Sequence, residues 1–224
     1  MSDNFSGFPK EGLDFLRELG SEDKAWFDAN RKVYDEQVVA PTKAFVVALG
    51  ERLAERMSPA IVAQPKANGS IAPINNDIRF SPDKPPYKDH LLLKFWEGEN
   101  KKMAATLHVR LSSEDVGFAT GAMLPSLDRW RELIDDDATG EPLAKALAAL
   151  GKGRDLSVAG EGYKRVPKPY GEDHPRAALL KHKWFQARWP EPVPDSVHSA
   201  AFVEFCSERL EACADVHRWL VANL

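Results

Sequence analysis

The stretch from Leu91 to Gly121, LLLKFWEGENKKMAATLHVRLSSEDVGFATG, decides the fold of this 224-residue chain. It opens with a short, nearly continuous apolar run that ends at Trp96. From Met103 to Leu111 apolar and polar residues alternate, which is typical of a strand that buries one face. Residues 98–101 and 112–115 have the composition of tight turns. Short turns between neighbouring strands favour an antiparallel meander, so we expect a mainly antiparallel sheet.

Helical periodicity flanks this stretch on both sides. Before it, apolar residues recur every three or four positions, and Pro41 is expected to break or bend one helix. The same spacing returns after Pro125 and again after Ser196. We therefore predict a single α+β domain spanning residues 1–224, with a central sheet and the N- and C-terminal helices packed on it.

Composition narrows the function classes. The net charge is −4, which gives the chain no strong attraction for nucleic acid or anionic membranes. No apolar run is long enough for a membrane span, and no signal peptide is recognisable, so a cytoplasmic protein is expected. Cys206 and Cys213 are too far apart on one helix for a disulfide. The chain has no CxxC or HExxH spacing, so we expect no zinc site.

The most polar stretch lies directly before the meander, from Ile71 to Lys88, and reads IAPINNDIRFSPDKPPYK. Ile74, Ile78 and Phe80 share one parity, so a strand could bury all three on one face. Asp77 and Arg79 would then share the opposite face, where they could hold each other or a ligand. The alternative is an ordinary solvated turn, because charged residues are mostly exposed.

Proline stiffens the second half of this stretch. Pro82, Pro85 and Pro86 fix the backbone and remove three donors, which excludes a helix. The side chains presented on this stiff loop are Asp83, Lys84, Tyr87 and Lys88. Stiff loops that present charge are common places for binding sites.

A second polar stretch follows much later in the chain, from Gly162 to Pro175, and reads GYKRVPKPYGEDHP. It too mixes tyrosine, basic residues and proline. Asp173 or His174 can cap a helix that begins at Pro175 and runs to about His182.

The chain resembles the domain-of-unknown-function family 2461, a group of mostly bacterial proteins. The matching segments are Phe5–Phe8, Trp26–Phe27 with Asn30 and Tyr34, Pro41, Asp77–Ser81, Asp83–Lys88, Lys164–Lys168 and Asp173–Pro175. The resemblance covers most of the chain and implies one domain with helices at both ends around a sheet. It implies no activity and no catalytic residues. Such proteins tend to have arginine where Pro73 and Asn76 stand here, so this chain carries less positive charge there.

These observations favour a protein that binds, and could turn over, a small anionic ligand at a site formed by the 77–88 and 163–174 loops. The candidate ligand-binding residues are Asp77, Arg79, Asp83, Lys84, Tyr87, Lys88, Lys164, Arg165, Lys168, Tyr170 and His174. We expect Arg79 to be the central group, paired to Asp77 or Asp83 when no ligand is bound. Catalytic residues and cofactors stay unassigned, because the chain has no GxSxG, Walker or GxGxxG motif.

Two other functions stay open at this point. One is a non-catalytic protein-interaction or structural module, in which the charged loops contact a protein. The other is single-stranded nucleic-acid binding, with tyrosines that stack on bases. The negative net charge counts against the second. Enzymatic activity and oligomeric state stay open.

Overall fold

The computed structural model describes residues 5–79 and 83–224. The α-helices are α1 (Lys10–Leu19), α2 (Lys24–Ala29), α3 (Arg31–Val33), α4 (Ala40–Arg56), α5 (Leu127–Asp135), α6 (Asp137–Leu150), α7 (Ala177–Leu180), α8 (Ala201–Glu211) and α9 (Ala214–Asn223). A π-helix spans Tyr34–Val39 and a 3₁₀-helix spans Asp195–His198. The strands are β1 (Ile61–Val62), β2 (Leu91–Glu97), β3 (Ala105–Leu111), β4 (Asp115–Met123), β5 (Ser157–Glu161) and β6 (His182–Pro192).

The predicted antiparallel sheet and α+β class are confirmed. The strands form one six-stranded sheet in the order β1-β2-β3-β4-β6-β5, so the meander β2–β3–β4 lies at its centre. In β3, Leu107, Val109 and Leu111 are fully buried, as the alternating pattern predicts. The edge strand β5 was not expected from the sequence. It pairs antiparallel with β6, for example Ser157 with Arg188.

The expected strand through Ile74, Ile78 and Phe80 is wrong. Residues 76–79 form a loop, and the side chain of Ile78 is 44% exposed, whereas Ile74 is buried. An isolated bridge between Asn75 and Tyr87 closes the segment on itself. The backbone groups of the segment between Asn75 and Tyr87 therefore make hydrogen bonds within the loop and do not extend a strand. Phe80 lies outside the described residues.

The described residues group into two compact units. The first contains the described residues up to Phe95, then His108–Gly117 and Pro190–Arg209. Its core holds an aromatic cluster in which Phe45 contacts Phe5, Phe8 and Phe202, with ring centroids 5.0, 5.3 and 5.3 Å away. In this unit Gly50 of α4 lies against Ala63 and Phe95, so α4 packs on β2 at a residue without a side chain.

The helix expected to break or bend at Pro41 continues through it without a break. The chain runs from α3 into the π-helix and on into α4, where Pro41 occupies the first turn and costs little. Pro41 has no N–H to give the carbonyl of Gln37, four residues earlier. Gly12 of α1 lies against that carbonyl oxygen, and a Cβ at this position would collide with it. The glycine therefore sets how closely α1 approaches the π-helix.

The second unit contains Trp96–Leu107, Phe118–Trp189 and Leu210–Leu224. Its core centres on Trp130 of α5, which is fully buried with its ring centroid 5.5 Å from that of Phe185. The Trp130 indole donates to the carbonyl of Leu179 at 2.8 Å, so its one polar atom is satisfied. Trp219 of α9 donates in the same way to the carbonyl of Thr139. The expectation of a single domain over residues 1–224 stays a prediction.

Candidate functional site

The loop from Asn75 to Lys88, in the first unit, is closed by its own polar groups. The amide N–H of Asn76 donates to the Pro86 carbonyl at 2.8 Å. The side-chain Nδ2 of Asn76 donates to the carbonyls of Pro85 and Tyr87, at 2.9 and 2.8 Å. Proline has no backbone N–H, so the carbonyls of this proline-rich segment cannot be paired as in a regular β-ladder. Asn76 supplies the donors that these carbonyls need. The Asn76 side chain therefore holds the base of the loop together with backbone hydrogen bonds.

Asp77 and Arg79 form the pair that the sequence predicts. Arg79 donates from Nε to Oδ1 and from Nη2 to Oδ2 of Asp77, at 2.9 and 2.7 Å. These bonds, with one from the Arg79 backbone N–H, hold the pKa of the Asp77 carboxyl below its usual value. The bidentate fork of Arg79 is thus occupied by a neighbouring carboxylate, which an anionic ligand would have to displace.

Tyr87 and Lys88 both make contacts with the protein itself. Tyr87 is buried with its ring centroid 4.8 Å from that of Phe27. The Lys88 ammonium donates to the carbonyl of Asn75 at 2.6 Å and to that of Pro73. Burial, and then the charge of Lys84, lower the pKa of Lys88. Both side chains stabilise the loop in the structure, and their contact with a ligand stays a prediction.

Asp83 and Lys84 are exposed on the same loop. Neither makes an ion pair within the described part of the chain. Pro82, which was expected to stiffen this turn, lies outside the described residues together with Ser81. Lys84 is therefore a candidate cation of this loop that no described carboxylate holds, and Lys88 is another, although backbone carbonyls hold its ammonium.

The 163–174 loop, in the second unit, presents the other predicted cations. Lys164, Arg165 and Lys168 are exposed, and none has a carboxylate within ion-pair distance in residues 5–79 and 83–224. The nearby Glu172 is engaged elsewhere: Oε1 accepts from the Val166 N–H at 2.9 Å and Oε2 lies 3.7 Å from the Lys181 ammonium. The structure thus leaves these three positive charges available to solvent.

His174 is held at both ring nitrogens. Its Nδ1 accepts from the Arg176 N–H at 3.0 Å, and its Nε2 lies 3.2 Å from Oδ1 of Asp135. The predicted cap is wrong: α7 spans only Ala177–Leu180, its N-cap residue is Arg176, and no side chain caps it. The Tyr170 ring packs edge-on against His174, and burial followed by Asp135 raises the pKa of Tyr170.

Sequence reasoning missed two cations that meet this loop. The Arg131 guanidinium lies 5.2 Å from the ring centroid of Tyr163, and the Lys183 ammonium lies 4.6 Å from it. The sequence signal was slight, since Arg131 lies beside the apolar face of α5 and Lys183 is in a strand. Only the tertiary packing of the second unit brings both to one tyrosine.

A further polar cluster in the second unit resembles catalytic geometry. His217 contacts the Thr120 hydroxyl through Nδ1 at 3.2 Å, and its Nε2 lies 3.4 Å from Oε2 of Glu97. A hydroxyl, an imidazole and a carboxylate in this order can activate a nucleophile. Thr120 is fully buried and His217 is 1% exposed, however, so no substrate reaches the hydroxyl. We interpret the cluster as part of the core.

The two predicted loops belong to different units, and their use of one common ligand stays a prediction. In the part of the chain that the structure describes, no helix combines the length and apolar character needed to cross a membrane. Residues 5–79 and 83–224 also hold no group of three His, Cys, Asp or Glu side chains placed to hold a metal ion.

Comparison with known proteins identifies the family. The model of a family described as conserved hypothetical protein (DUF2461) matches residues 11–219. No curated protein matches the chain. Because the match covers nearly the whole chain, the protein belongs to the DUF2461 family of conserved hypothetical proteins.

Proposed function

We propose that this protein binds a small anionic ligand through the cations of the 163–174 loop. The observation that carries the proposal is the exposure of Lys164, Arg165 and Lys168 without a carboxylate partner in the described chain. Like charges on one short loop repel each other, and an anion relieves that repulsion. Lysine and arginine are also the side chains that bind carboxylates and phosphates in proteins.

The backbone of this loop supports the proposal because it is already held in place. The Tyr170 N–H donates to the Pro167 carbonyl at 3.1 Å, and the His174 N–H donates to that of Gly171 at 3.2 Å. Glu172 fixes Val166 from the side. A loop ordered before binding loses less conformational entropy when the ligand arrives.

A thermal-shift screen against small carboxylates, sulfates and phosphates tests the proposal. A ligand that binds only the folded protein must raise the melting temperature, by an amount that grows with its concentration over Kd. We expect at least one anion to raise it at millimolar concentration. No shift across the whole anion set would contradict the proposal.

Matched variants locate the binding. Replacing Lys164, Arg165 and Lys168 together by glutamine should remove the anion-induced shift. Lys152→Gln is the control, because Lys152 is an exposed lysine of the same unit with no described carboxylate partner. It should keep the full shift. Equal loss in both proteins would mean a non-specific charge effect.

The loop at Asn75–Lys88 is proposed as a second anion-binding loop, with Arg79 as its central group. Since Asp77 occupies the Arg79 fork, Asp77→Asn should strengthen anion binding by removing the competing charge. Arg79→Lys should weaken it, because lysine cannot reproduce two parallel bonds. If both variants bind anions like the unmodified protein, this loop has no part in the function.

A second candidate function is a protein-interaction module, favoured by Ile78. This large apolar side chain is 44% exposed on a loop whose base is fixed. Ile78→Ser should then abolish association with a partner purified from the source cells, while the anion-induced thermal shift stays unchanged. If the Ile78→Ser protein instead lost the anion-induced thermal shift and still associated with the partner, Ile78 would support anion binding and not the interaction module.

A further inference from the structure

We infer that the bound anion carries a phosphoryl group and that Arg131, Tyr163 and Lys183 form its seat. This inference rests on the proposed function, because it names the ligand class of the same loop. It adds Arg131 and Lys183, which the sequence did not single out, to the ligand-binding residues. In this site the Tyr163 ring contacts both cations.

Two cations share one tyrosine ring. The Arg131 Cζ and the Lys183 Nζ lie 5.2 and 4.6 Å from the Tyr163 ring centroid. The two positive charges are therefore within about 10 Å of each other, close to one screening length at 0.1 M salt. Cation–π attraction to the ring offsets part of their mutual repulsion. Lys164 and Arg165 follow Tyr163 directly in the chain and add to the positive charge.

Arg131 is held in place, with one edge unused by the protein. Its side chain is 15% exposed, and Nη1 lies 3.0 Å from Oδ1 of Asp128. Its Nε is buried and has no hydrogen-bond partner among the described residues. A guanidinium uses Nε and the adjacent Nη to grip two oxygens side by side. Because Nε is covered, an anion reaches this edge only when the side chains over it shift, and it would then satisfy a donor that the protein leaves unpaired.

Lys183 reaches the same ring from β6. Its aliphatic stem lies over Gly162, where an added Cβ would collide with the Lys183 side chain. The backbone N–H groups of Gly162 and Tyr163 both donate to the Lys181 carbonyl, at 2.9 and 3.3 Å. The start of the loop is thus anchored directly before the strand that carries Lys183, which keeps the Tyr163 ring within reach of the ammonium.

Charge decides between a phosphoryl group and a single carboxylate. Asp128, the carboxylate ion-paired with Arg131, is 88% exposed and screened by solvent. A carboxylate adds one negative charge, whereas a phosphate monoester adds about two near neutral pH and three acceptor oxygens. The positive charges of Arg131 on α5, of Lys183 on β6 and of the loop after Tyr163 are therefore better neutralised by a phosphoryl group than by one carboxylate.

Calorimetry with inorganic phosphate and succinate at pH 7.5 and constant ionic strength tests this inference, because both anions carry about two charges. We expect phosphate to bind at least about tenfold more tightly. A third titration with glycerol 3-phosphate separates free phosphate from an organic phosphate ester. Tighter binding of the ester than of inorganic phosphate identifies the ester as the source, and the reverse identifies free phosphate.

Four variants locate the seat. Arg131→Gln and Lys183→Gln should each weaken phosphate binding about tenfold, the loss expected for one charge-assisted contact. The controls Arg129→Gln, an exposed arginine of the same helix, and Lys152→Gln should bind like the unmodified protein. Lys183 is exposed, so its variant remains informative even if Arg131→Gln impairs folding. Unchanged phosphate binding in the folded Lys183 variant would overturn the inference.

The two proposals fail in different ways. Equal binding of phosphate and succinate, lost when Lys164 and Arg165 are replaced, would overturn the phosphoryl seat and leave the proposed anion binding intact. Absence of binding by every anion would overturn both.

Discussion

The Nε2 atom of His217 lies 3.4 Å from Oε2 of Glu97, yet burial keeps the pKa of His217 below its ordinary value despite this carboxylate. Burial also lowers the pKa of His182. Burial, and then the charge of Lys94, lower that of His108 to about 3. Each of these folded-state histidines therefore stays neutral at a pH where its unfolded form binds a proton.

The lowered pKa values of these three histidines determine how the stability of the protein depends on pH. Below about pH 6.5 the unfolded state binds more protons than the folded state, so the free energy of unfolding falls as pH falls. Each such histidine contributes a loss of up to about 1.4 kcal/mol per pH unit until its folded-state pKa is reached. Urea unfolding at pH 7.5, 6.5 and 5.5 measures the slope. His108→Gln should flatten it, and a free energy that is constant over this range would contradict the assignment.

Gly12→Ala should destabilise the protein by about 1–3 kcal/mol, although alanine is the better helix former. The reason is the collision between an added Cβ and the Gln37 carbonyl oxygen. The midpoint of urea unfolding measures the change. Glu11→Ala, at the exposed neighbouring position of α1, is the control and should shift the midpoint little. A stabilised Gly12→Ala protein would show that α1 can move away without cost.

Asn76→Ala should loosen the loop from Asn75 to Lys88. The change removes both side-chain bonds to the Pro85 and Tyr87 carbonyls, with an expected cost of about 1–3 kcal/mol. Hydrogen exchange at the Asn76 and Lys88 amides should accelerate, because both bonds close this loop. Asn75→Ala is the matched control, since the Asn75 side chain is exposed. Equal exchange in the two variants would remove Asn76 from its proposed role.

Phe27→Ala should cost about 3–5 kcal/mol, and Trp26→Ala clearly less. Trp26 is half-buried and packs on Phe15 with ring centroids 5.1 Å apart. Phe27 is buried against Tyr34 and Tyr87, at 5.1 and 4.8 Å. Urea midpoints of both variants, measured side by side, check the order. If Trp26→Ala lowered the midpoint more than Phe27→Ala, the Trp26 ring would contribute more to the core than Phe27, against this prediction.

The meander was predictable because its pattern is local. Alternation in β3 and short turns fix strand pairing between neighbours in sequence. The segment from Ile74 to Arg79 was misread as part of a strand because the parity of its apolar residues takes no account of Asn76, whose side chain bonds to residues about ten positions later. The edge strand β5 lacks a clear apolar pattern and depends on pairing with β6, including Gly160 at a positive φ of 122°.

The candidate site was predictable in part for the same reason. Residue types and proline content marked both charged loops, and Arg79 pairs with Asp77 two residues away, as expected. The contacts of Arg131 and Lys183 with Tyr163 join distant parts of the chain, so no spacing in the sequence could reveal them.

The π-helix at Tyr34–Val39 also constrains how the length of this chain can vary. A π-helical turn arises when one extra residue enters an α-helix. Deleting one residue there would restore α-helical geometry and rotate the preceding segment by about 100° relative to α4. Phe27 would then turn away from Tyr87. Sequence gaps are therefore better tolerated in the surface turns than at this segment, although it looks like ordinary helix when the sequence is read alone.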